Sequence, residues 1–447
     1  MSKKNISYNT ILEQYSGKRG NMSNQRNLLV GLDFSDDYTQ ISCYNTKYYE
    51  PESISTSEAE DYLIPTALCV TKDTKEWLYG DEAMVAFENN EGILIDHLEH
   101  LAKRNEEVTV FDTKFKPSTL LEKYFRKVLS LLKKKYVGGN IIQLVVTVED
   151  GEDVLAQNIY EAMRALGIEK DRVIVKSHAA TSMYYVLNQN KDLWMNDVEI
   201  FHYNGHNLYF YHISINRRTK PCAVTVSKED FTASFGEIYT SSATSTKQHK
   251  DQLAYLFHRI AKTTLSRGVI STLFITGKGF EDDWIDQTLQ ELCLGRRIFK
   301  GQNLYTKGAC YMAKEMKGEK KLEDYILLSE EMLHSRVWMS AYVDAKVQEV
   351  VLAKIGTPWY EVNEEIELIF DGKPEVAIHC KSLFGRDTDT YRLVMDKLPF
   401  RPNKMTRAGL SLKCSSSNCI DVELRDLGFG DLYPATDLVC RIQIPLT

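Results

Sequence analysis

Residues 28–43 read LLVGLDFSDDYTQISC. An apolar run through Leu32 ends on Asp33, the polar stretch Ser35-Asp36-Asp37 turns the chain, and Tyr38–Cys43 alternates in character. The pattern predicts a strand, a tight turn and a second strand. A strand that delivers a carboxylate into a short polar turn is a frame for holding a phosphate and its metal ion. Gly31, Asp33, Ser35 and Asp36 are therefore the first candidate binding residues, with Asp33 the candidate metal ligand.

The rest of the chain bounds what such a frame serves. With 447 residues, two or three domains are expected, and 43% apolar residues supply their cores. A formal net charge of −7 excludes a basic nucleic-acid binder. The cluster Lys133–Lys135 follows Leu131 and Leu132 on a helical pattern and reads as a solvated face. Residues 1–27 are polar, with no apolar core or cleavage site, which predicts no secretory signal. No apolar run approaches the roughly 18 residues that span a membrane. Nine dispersed cysteines without a C-x-x-C pair argue against zinc and a disulfide framework, and so for a reducing cytoplasm. Cys414 and Cys419 flank a turn and face each other on this reading, as free thiols.

Four segments are expected. Residues 1–27 form a mobile extension with a helical turn around Ile11–Tyr15. Residues 28–195 follow the order hairpin, strand (63–70), helix (119–136), buried strand (142–148), helix, strand and helix. Residues 196–321 repeat that order, starting with a hairpin around Asn204-Gly205 and ending with a strand at 272–276 and Gly277-Lys278-Gly279 leading into a helix. Each of these two parts is expected to hold a mixed five-stranded sheet. From 322 to 447 short strand-like runs separated by turn signals predict an all-β sandwich. The fold class is thus α/β in two lobes followed by a β domain.

Several stretches, in order, resemble the actin-like ATPases, and among them the seventy-kilodalton heat-shock chaperones, in a divergent bacterial branch. Gly31-Leu32-Asp33-Phe34 resembles the first phosphate motif; Ile64-Pro65-Thr66 and Gly80-Asp81-Glu82-Ala83 resemble the next two segments. Val145–Val148, Val173–Leu187 and Ile200–Phe210 are similar to the strand before the connecting helix, the Asn-Glu-Pro-Thr-Ala-Ala segment and the second phosphate hairpin. Phe274–Phe280 resembles the adenosine motif and Lys307-Gly308-Ala309 the closing helix. The resemblance implies ribonuclease-H-like lobes around a cleft, ATP with magnesium as cofactor, and a protein client. It implies nucleotide contacts at Gly31, Asp33, Ser35, Asp36, Asn204, Gly205, Gly277, Lys278 and Gly279.

The chemistry departs from that pattern. Ser35 replaces a glycine whose bare backbone admits phosphate, and Asp36 and Asp37 replace hydroxyl residues. A carboxylate about 5 Å from a phosphate charge costs about 3 kcal/mol at an effective dielectric of about 20. In the second hairpin His202 stands for an acid and only Gly205 survives of three glycines. Ser177 stands for the glutamate near the attacking water, and Lys103-Arg104 is only a loose match to the catalytic lysine. In-line attack then lacks positioning and charge stabilisation. Weak or absent magnesium-ATP binding follows.

Two histidine groups, Asp96/His97/His100 and His202/His206/His212, carry metal-compatible spacing, with a solvated helix face and a plain hairpin as the competing readings. The strand-like end at 440–446 leads to the expectation that no helical lid follows the β domain. The function expected is a non-catalytic, chaperone-like protein-binding or scaffold module, with a divergent ATPase and an actin-like filament protein as alternatives. The candidate partner loop is Leu427–Pro434, with Phe429, Leu432 and Tyr433 as its contact residues.

Overall fold

A computed structural model describes residues 26–56, 62–236, 246–318 and 320–446. The expected N-terminal extension lies outside the described residues except at Arg26 and Asn27.

The chain opens with the hairpin β1 (Asn27–Phe34) and β2 (Tyr38–Asn45), then β3 (Glu50–Ser53) and β4 (Ile64–Pro65). A small sheet of β5 (Leu68–Thr71), β6 (Trp77–Tyr79) and β7 (Gly92–Ile95) carries helix α1 (Gly80–Glu88). Helix α2 (Leu98–Arg104) and the hairpin β8 (Val108–Val110) and β9 (Thr113–Phe115) follow. Then come α3 (Pro117–Lys135), β10 (Asn140–Val148), α4 (Asp153–Ala165), β11 (Val173–Ser177) and α5 (His178–Leu187). The main sheet runs β11-β10-β1-β2-β3, with β4 on β2. β1 lies parallel to β10 and antiparallel to β2, and Asp33 falls opposite Thr147 and Gln40.

β10 is apolar almost throughout because both faces are covered. On one side α3, opened by Pro117 at its first position, buries Leu120, Leu121, Tyr124, Phe125 and Val128 in the core of this half. On the other, helix α9 (Leu304–Met316) crosses β1 so closely that a Cβ at Gly31 would stand 2.1 Å from the Thr306 carbonyl oxygen.

The second half repeats the plan. It contains β12 (Asp197–Tyr203), β13 (Leu208–Asn216), β14 (Cys222–Asp230), α6 (Thr232–Gly236) and α7 (Thr246–Thr264). β15 (Ile270–Thr276), α8 (Asp286–Leu292), β16 (Arg297–Lys300), α9 and β17 (Tyr325–Leu328) complete it. Its strand order is β16-β15-β12-β13-β14-β17. Apart from the extra strands β4 and β17, both sheets share one order: two later parallel strands flank the first strand of a hairpin, and a third hairpin strand closes the other edge.

By residue contacts the chain divides into two compact units. One takes the described residues through Phe210 together with Asp230–Lys321; the other takes Tyr211–Glu229 with the described residues from Leu322 onward. The second unit contains two four-stranded antiparallel sheets. β18 (Ser335–Val343), β19 (Lys346–Ala353), β21 (Glu375–Ser382) and β22 (Asp389–Val394) are ordered β19-β18-β21-β22. β20 (Asn363–Ile369), β23 (Arg407–Ser416), β24 (Cys419–Asp426) and β25 (Val439–Pro445) are ordered β20-β23-β24-β25. Val337, Met339 and Ile378 from one sheet share a buried cluster with Leu410, Leu412 and Val422 from the other.

Three expectations need correction. Both α/β sheets have six strands, not five. The stretch 63–70 is not one strand: Pro65 has no N–H, the Thr66 amide donates to the Asp37 carbonyl, and the chain splits into β4 and β5. The stretch after Gly279 is not yet an α-helix: two single 3-10 turns, Lys278–Phe280 and Asp283–Ile285, precede α8.

Candidate functional site

Asp33, one residue before the end of β1, lines a cleft within the first unit. It does not face open solvent. His178, the first residue of α5, lies with Nε2 2.7 Å from Asp33 Oδ1. The His178 side chain is only 3% exposed and its Nδ1 has no hydrogen-bond partner among the described residues. Its ring stacks on Tyr305 of α9 at 3.9 Å between centroids and 6° between planes. His202, one residue before the end of β12, packs with a tilted ring on the same pair, 5.4 Å from the Tyr305 ring and 5.8 Å from His178. An imidazole–phenol stack thus fills the space in front of the carboxylate.

The turn after Asp33 is built for itself. Ser35 Oγ donates to the Tyr38 carbonyl at 2.8 Å. Asp36 accepts the His100 amide in the first turn of α2 at 2.9 Å, which satisfies one of that helix's unpaired amides. Asp37 is half-buried. Burial raises its pKa, and the nearby charges of His206, His97 and Lys278 pull in the opposite direction. Across the cleft Lys278 Nζ bonds the Tyr38 hydroxyl and sits 4.1 Å from the centre of its ring.

The second hairpin is closed in the same way. Asn204 Oδ1 accepts the amides of His206 and Asn207 at 2.9 and 2.7 Å. This is an Asx turn, and it occupies the amides that a phosphate-binding hairpin leaves free. Gly205 has φ 110° and nothing within 4 Å of an added Cβ, so the turn conformation alone demands glycine there. Gly277 (φ 102°) and Gly279 answer to packing. A Cβ at Gly277 would meet the Tyr203 carbonyl oxygen at 2.3 Å, and one at Gly279 would meet the Tyr203 ring at 2.3 Å. Gln302 clamps Gly277 with two 3.1 Å hydrogen bonds, one to its N–H and one from its own amide to the carbonyl. Beyond Gly279, Phe280 stacks on Trp284 beside Tyr203 and Phe257.

The nine sequence-derived contact residues divide accordingly. Asp33, Ser35, Asn204, Gly277 and Lys278 line the cleft; Asp36 is engaged with α2, Gly31 with α9, and Gly279 with Tyr203. Gly205 closes its own turn. Ser177 caps α5, its Oγ accepting the Ala180 amide at 3.3 Å. Lys103 pairs with the buried Glu99 at 3.2 Å. Sequence reading missed Tyr38, His178, Gln302 and Tyr305, which come from four separate elements or loops and carry no shared spacing. The cleft encloses about 50 Å³. Ligand clefts typically enclose about 300–1,000 Å³, so the residues present do not fit a nucleoside triphosphate with magnesium. Among the described residues no group of three or more His, Cys, Asp or Glu converges as a metal site. A roomier cavity of about 500 Å³ lies elsewhere, between the starts of α3 and α4, lined by polar side chains such as Asn105, Lys116, Asp153 and Glu161.

In the second unit the loop after β24 is organised by a buried ion pair that composition gave no hint of. Arg401 grips Asp426 at 2.6 and 2.7 Å, and the same carboxylate accepts the amides of Gly428 and Thr436. Burial opposes ionisation, but the Arg401 and amide hydrogen bonds prevail and hold the Asp426 carboxyl well below the ordinary range. From this anchor Leu432 projects at 86% exposure, whereas Phe429 and Tyr433 are half-buried and bridged backbone to backbone.

The fold and cleft are those of a chain whose α/β part and β part are each recognisable units. Residues 50–330 match the family of unknown function DUF5716, C-terminal, and the chain belongs to that family. Residues 332–446 match the domain of unknown function DUF8552. No curated protein matches the chain. Among the described residues, no helix is long and apolar enough to cross a membrane.

Proposed function

We propose that this protein is a chaperone-like pseudo-ATPase: an actin-like pair of ribonuclease-H-like lobes whose nucleotide cleft no longer works, joined to a β-sandwich, acting in the cytoplasm as a non-catalytic protein-binding or scaffold module. The repeated strand order of the two sheets supports the fold relationship. The observation that carries the functional reading is the cleft. Its acid is bound to His178, its hairpin amides to Asn204, and its volume is taken by the Tyr305 stack. Fold alone does not decide function, so the weight rests on those contacts.

A partner protein is assigned to the second unit, where exposed Leu432 leads a loop with Phe429 and Tyr433. Calorimetric titration with magnesium-ATP tests the reading. No heat of binding and no thermal shift are expected. A ligand at 100 times its dissociation constant would add about 2.7 kcal/mol of stability, so micromolar binding would show plainly. It would replace this reading with that of a divergent ATPase.

A further inference from the structure

The cavity between the starts of α3 and α4 encloses about 500 Å³, a volume typical of ligand clefts. One of its walls is the start of α3, where Lys116, Pro117 and Ser118 line the space. Pro117 has no N–H, and the Thr119 and Leu120 amides both donate to the Lys116 carbonyl, at 3.0 and 3.1 Å. The Ser118 amide is left without a partner among the described residues. No acidic residue occupies this first turn and no side chain caps it. The Lys116 ammonium makes no ion pair among the described residues. This wall therefore presents a cation and an unused N–H at the positive end of a 19-residue helix.

The other wall is α4, and it is rich in acceptors. Asp153, Gln157 and Glu161 follow one another at four-residue spacing, so one stripe of the helix lines the cavity while Leu155, Ile159 and Met163 pack into the core. Gln157 Nε2 donates to Glu161 Oε1 at 3.2 Å, which leaves the Gln157 oxygen available. Asn158 is only 6% exposed. Its Nδ2 donates to the Ala102 and Val154 carbonyls at 3.0 and 3.2 Å and to Asn105 Oδ1 at 3.3 Å. Its Oδ1 accepts no hydrogen bond among the described residues. Buried polar atoms are ordinarily paired, so an oxygen left open on the wall of a cavity marks where a ligand N–H fits. Glu107 adds a third carboxylate to the lining, and neither it nor Asp153 is ion-paired among the described residues.

These walls reject most occupants. Three carboxylates against one ammonium repel a phosphate or a nucleotide. Among the described residues the acids do not converge as a metal site. An apolar molecule would strip water from the polar groups without replacing its hydrogen bonds. We propose that the cavity binds a free basic amino acid of the lysine or arginine class. Its carboxylate meets Lys116 and the Ser118 amide. Its two cationic groups lie among Asp153, Glu161 and Glu107, and Asn158 Oδ1 accepts one of their N–H groups. Each ligand charge then meets its opposite. The inference is independent of the pseudo-ATPase reading, because the cavity shares no residue with the cleft.

Calorimetric titration of the full chain with L-lysine tests it. Cadaverine, which lacks the carboxylate, and L-norleucine, which lacks the side-chain ammonium, are the comparison probes. Exposed ion pairs contribute little singly, so affinity depends on engaging all the groups together. L-Lysine should bind, and each comparison probe should bind more weakly by about fivefold or more. Lys116→Met should weaken L-lysine by a similar factor and leave cadaverine unchanged, whereas Glu161→Gln should weaken both. Both variants replace exposed side chains, and melting curves confirm the fold. No heat with L-lysine at millimolar concentration overturns the proposal. So does cadaverine binding as tightly as L-lysine, which would make this a polyamine site. Undiminished L-lysine binding by Lys116→Met also overturns it, because the ligand would then sit elsewhere.

Discussion

The rings of His178 and Tyr305 lie 3.9 Å apart and 6° from parallel, and both are buried. Tyr305→Ala should therefore cost about 3–5 kcal/mol in denaturant unfolding, as for other buried aromatic truncations. It should still show no thermal shift with magnesium-ATP, because Asn204 continues to hold the amides of His206 and Asn207. A nucleotide-dependent shift in this variant would mean that the ring alone blocks the cleft.

Replacing Ser35-Asp36-Asp37 by Gly-Thr-Thr, the small and hydroxylic residues of the resembled motif, should not create phosphate affinity by itself. The change removes the carboxylate that accepts the His100 amide, so it should cost about 1 kcal/mol through the loosened start of α2. Only addition of Asn204→Gly, which frees the second turn's amides, should yield measurable binding of inorganic phosphate by calorimetry.

Gly277→Ala and Gly205→Ala separate two reasons for glycine. Both positions have positive φ, 102° and 110°, but only Gly277 approaches another backbone. Gly205→Ala should cost about 1 kcal/mol from conformation alone. Gly277→Ala must also displace Tyr203 and should cost several times as much in the same unfolding experiment.

Glu99 gives the first unit a pH dependence. Burial raises its folded pKa to about 7 from an ordinary 4.5, against the opposing pull of Lys103. Between those two values the folded chain holds the proton that the unfolded chain has lost. Stability from this group is therefore complete below pH 4.5 and is lost as pH rises towards 7. The separation corresponds to about 3 kcal/mol. Glu99→Gln should flatten the slope of stability across this window, and an unchanged slope would place the titration elsewhere.

Arg401→Ala should destabilise the second unit by about 3–5 kcal/mol, because it strands the Asp426 carboxylate without its buried partner. Phe429→Ala should cost clearly less, since that ring is half-buried and lies outside the sandwich core. Leu432→Ala, at an exposed position, should leave the melting temperature nearly unchanged.

Much of the fold was legible because it rests on local pattern. The apolar run of β10, the helical spacing of α3 and the Asn204-Gly205 turn each point to one structure. Pro65 ended a strand that hydrophobicity alone would have continued, and the extra strands β4 and β17 are too short to register as periods. The site was half legible. Asp33 and the two turns were visible as a motif, and so were the departures of Ser35, Asp36, Asp37 and His202 from the residue types of the resembled motifs. What fills the cleft was not, because His178 and Tyr305 meet 127 positions apart by a crossing of α5 and α9 that no spacing encodes. The glycines misled for a related reason: Gly31 fits a phosphate motif and Gly277 and Gly279 an adenosine motif in sequence, yet each is needed where another part of the chain comes within 2.3 Å of its missing Cβ.

Asn204 gives the second turn a resident surrogate for the anion. Its Oδ1 is tethered three bonds from its own Cα, two and three residues before the amides it caps, and tethering supplies an effective concentration that a dissolved competitor must exceed. A free phosphate would have to displace an oxygen that cannot diffuse away, and would gain no hydrogen bond in doing so. The state of this hairpin is then written into covalent connectivity, and it stays the same whether the surrounding nucleotide pool is charged or spent.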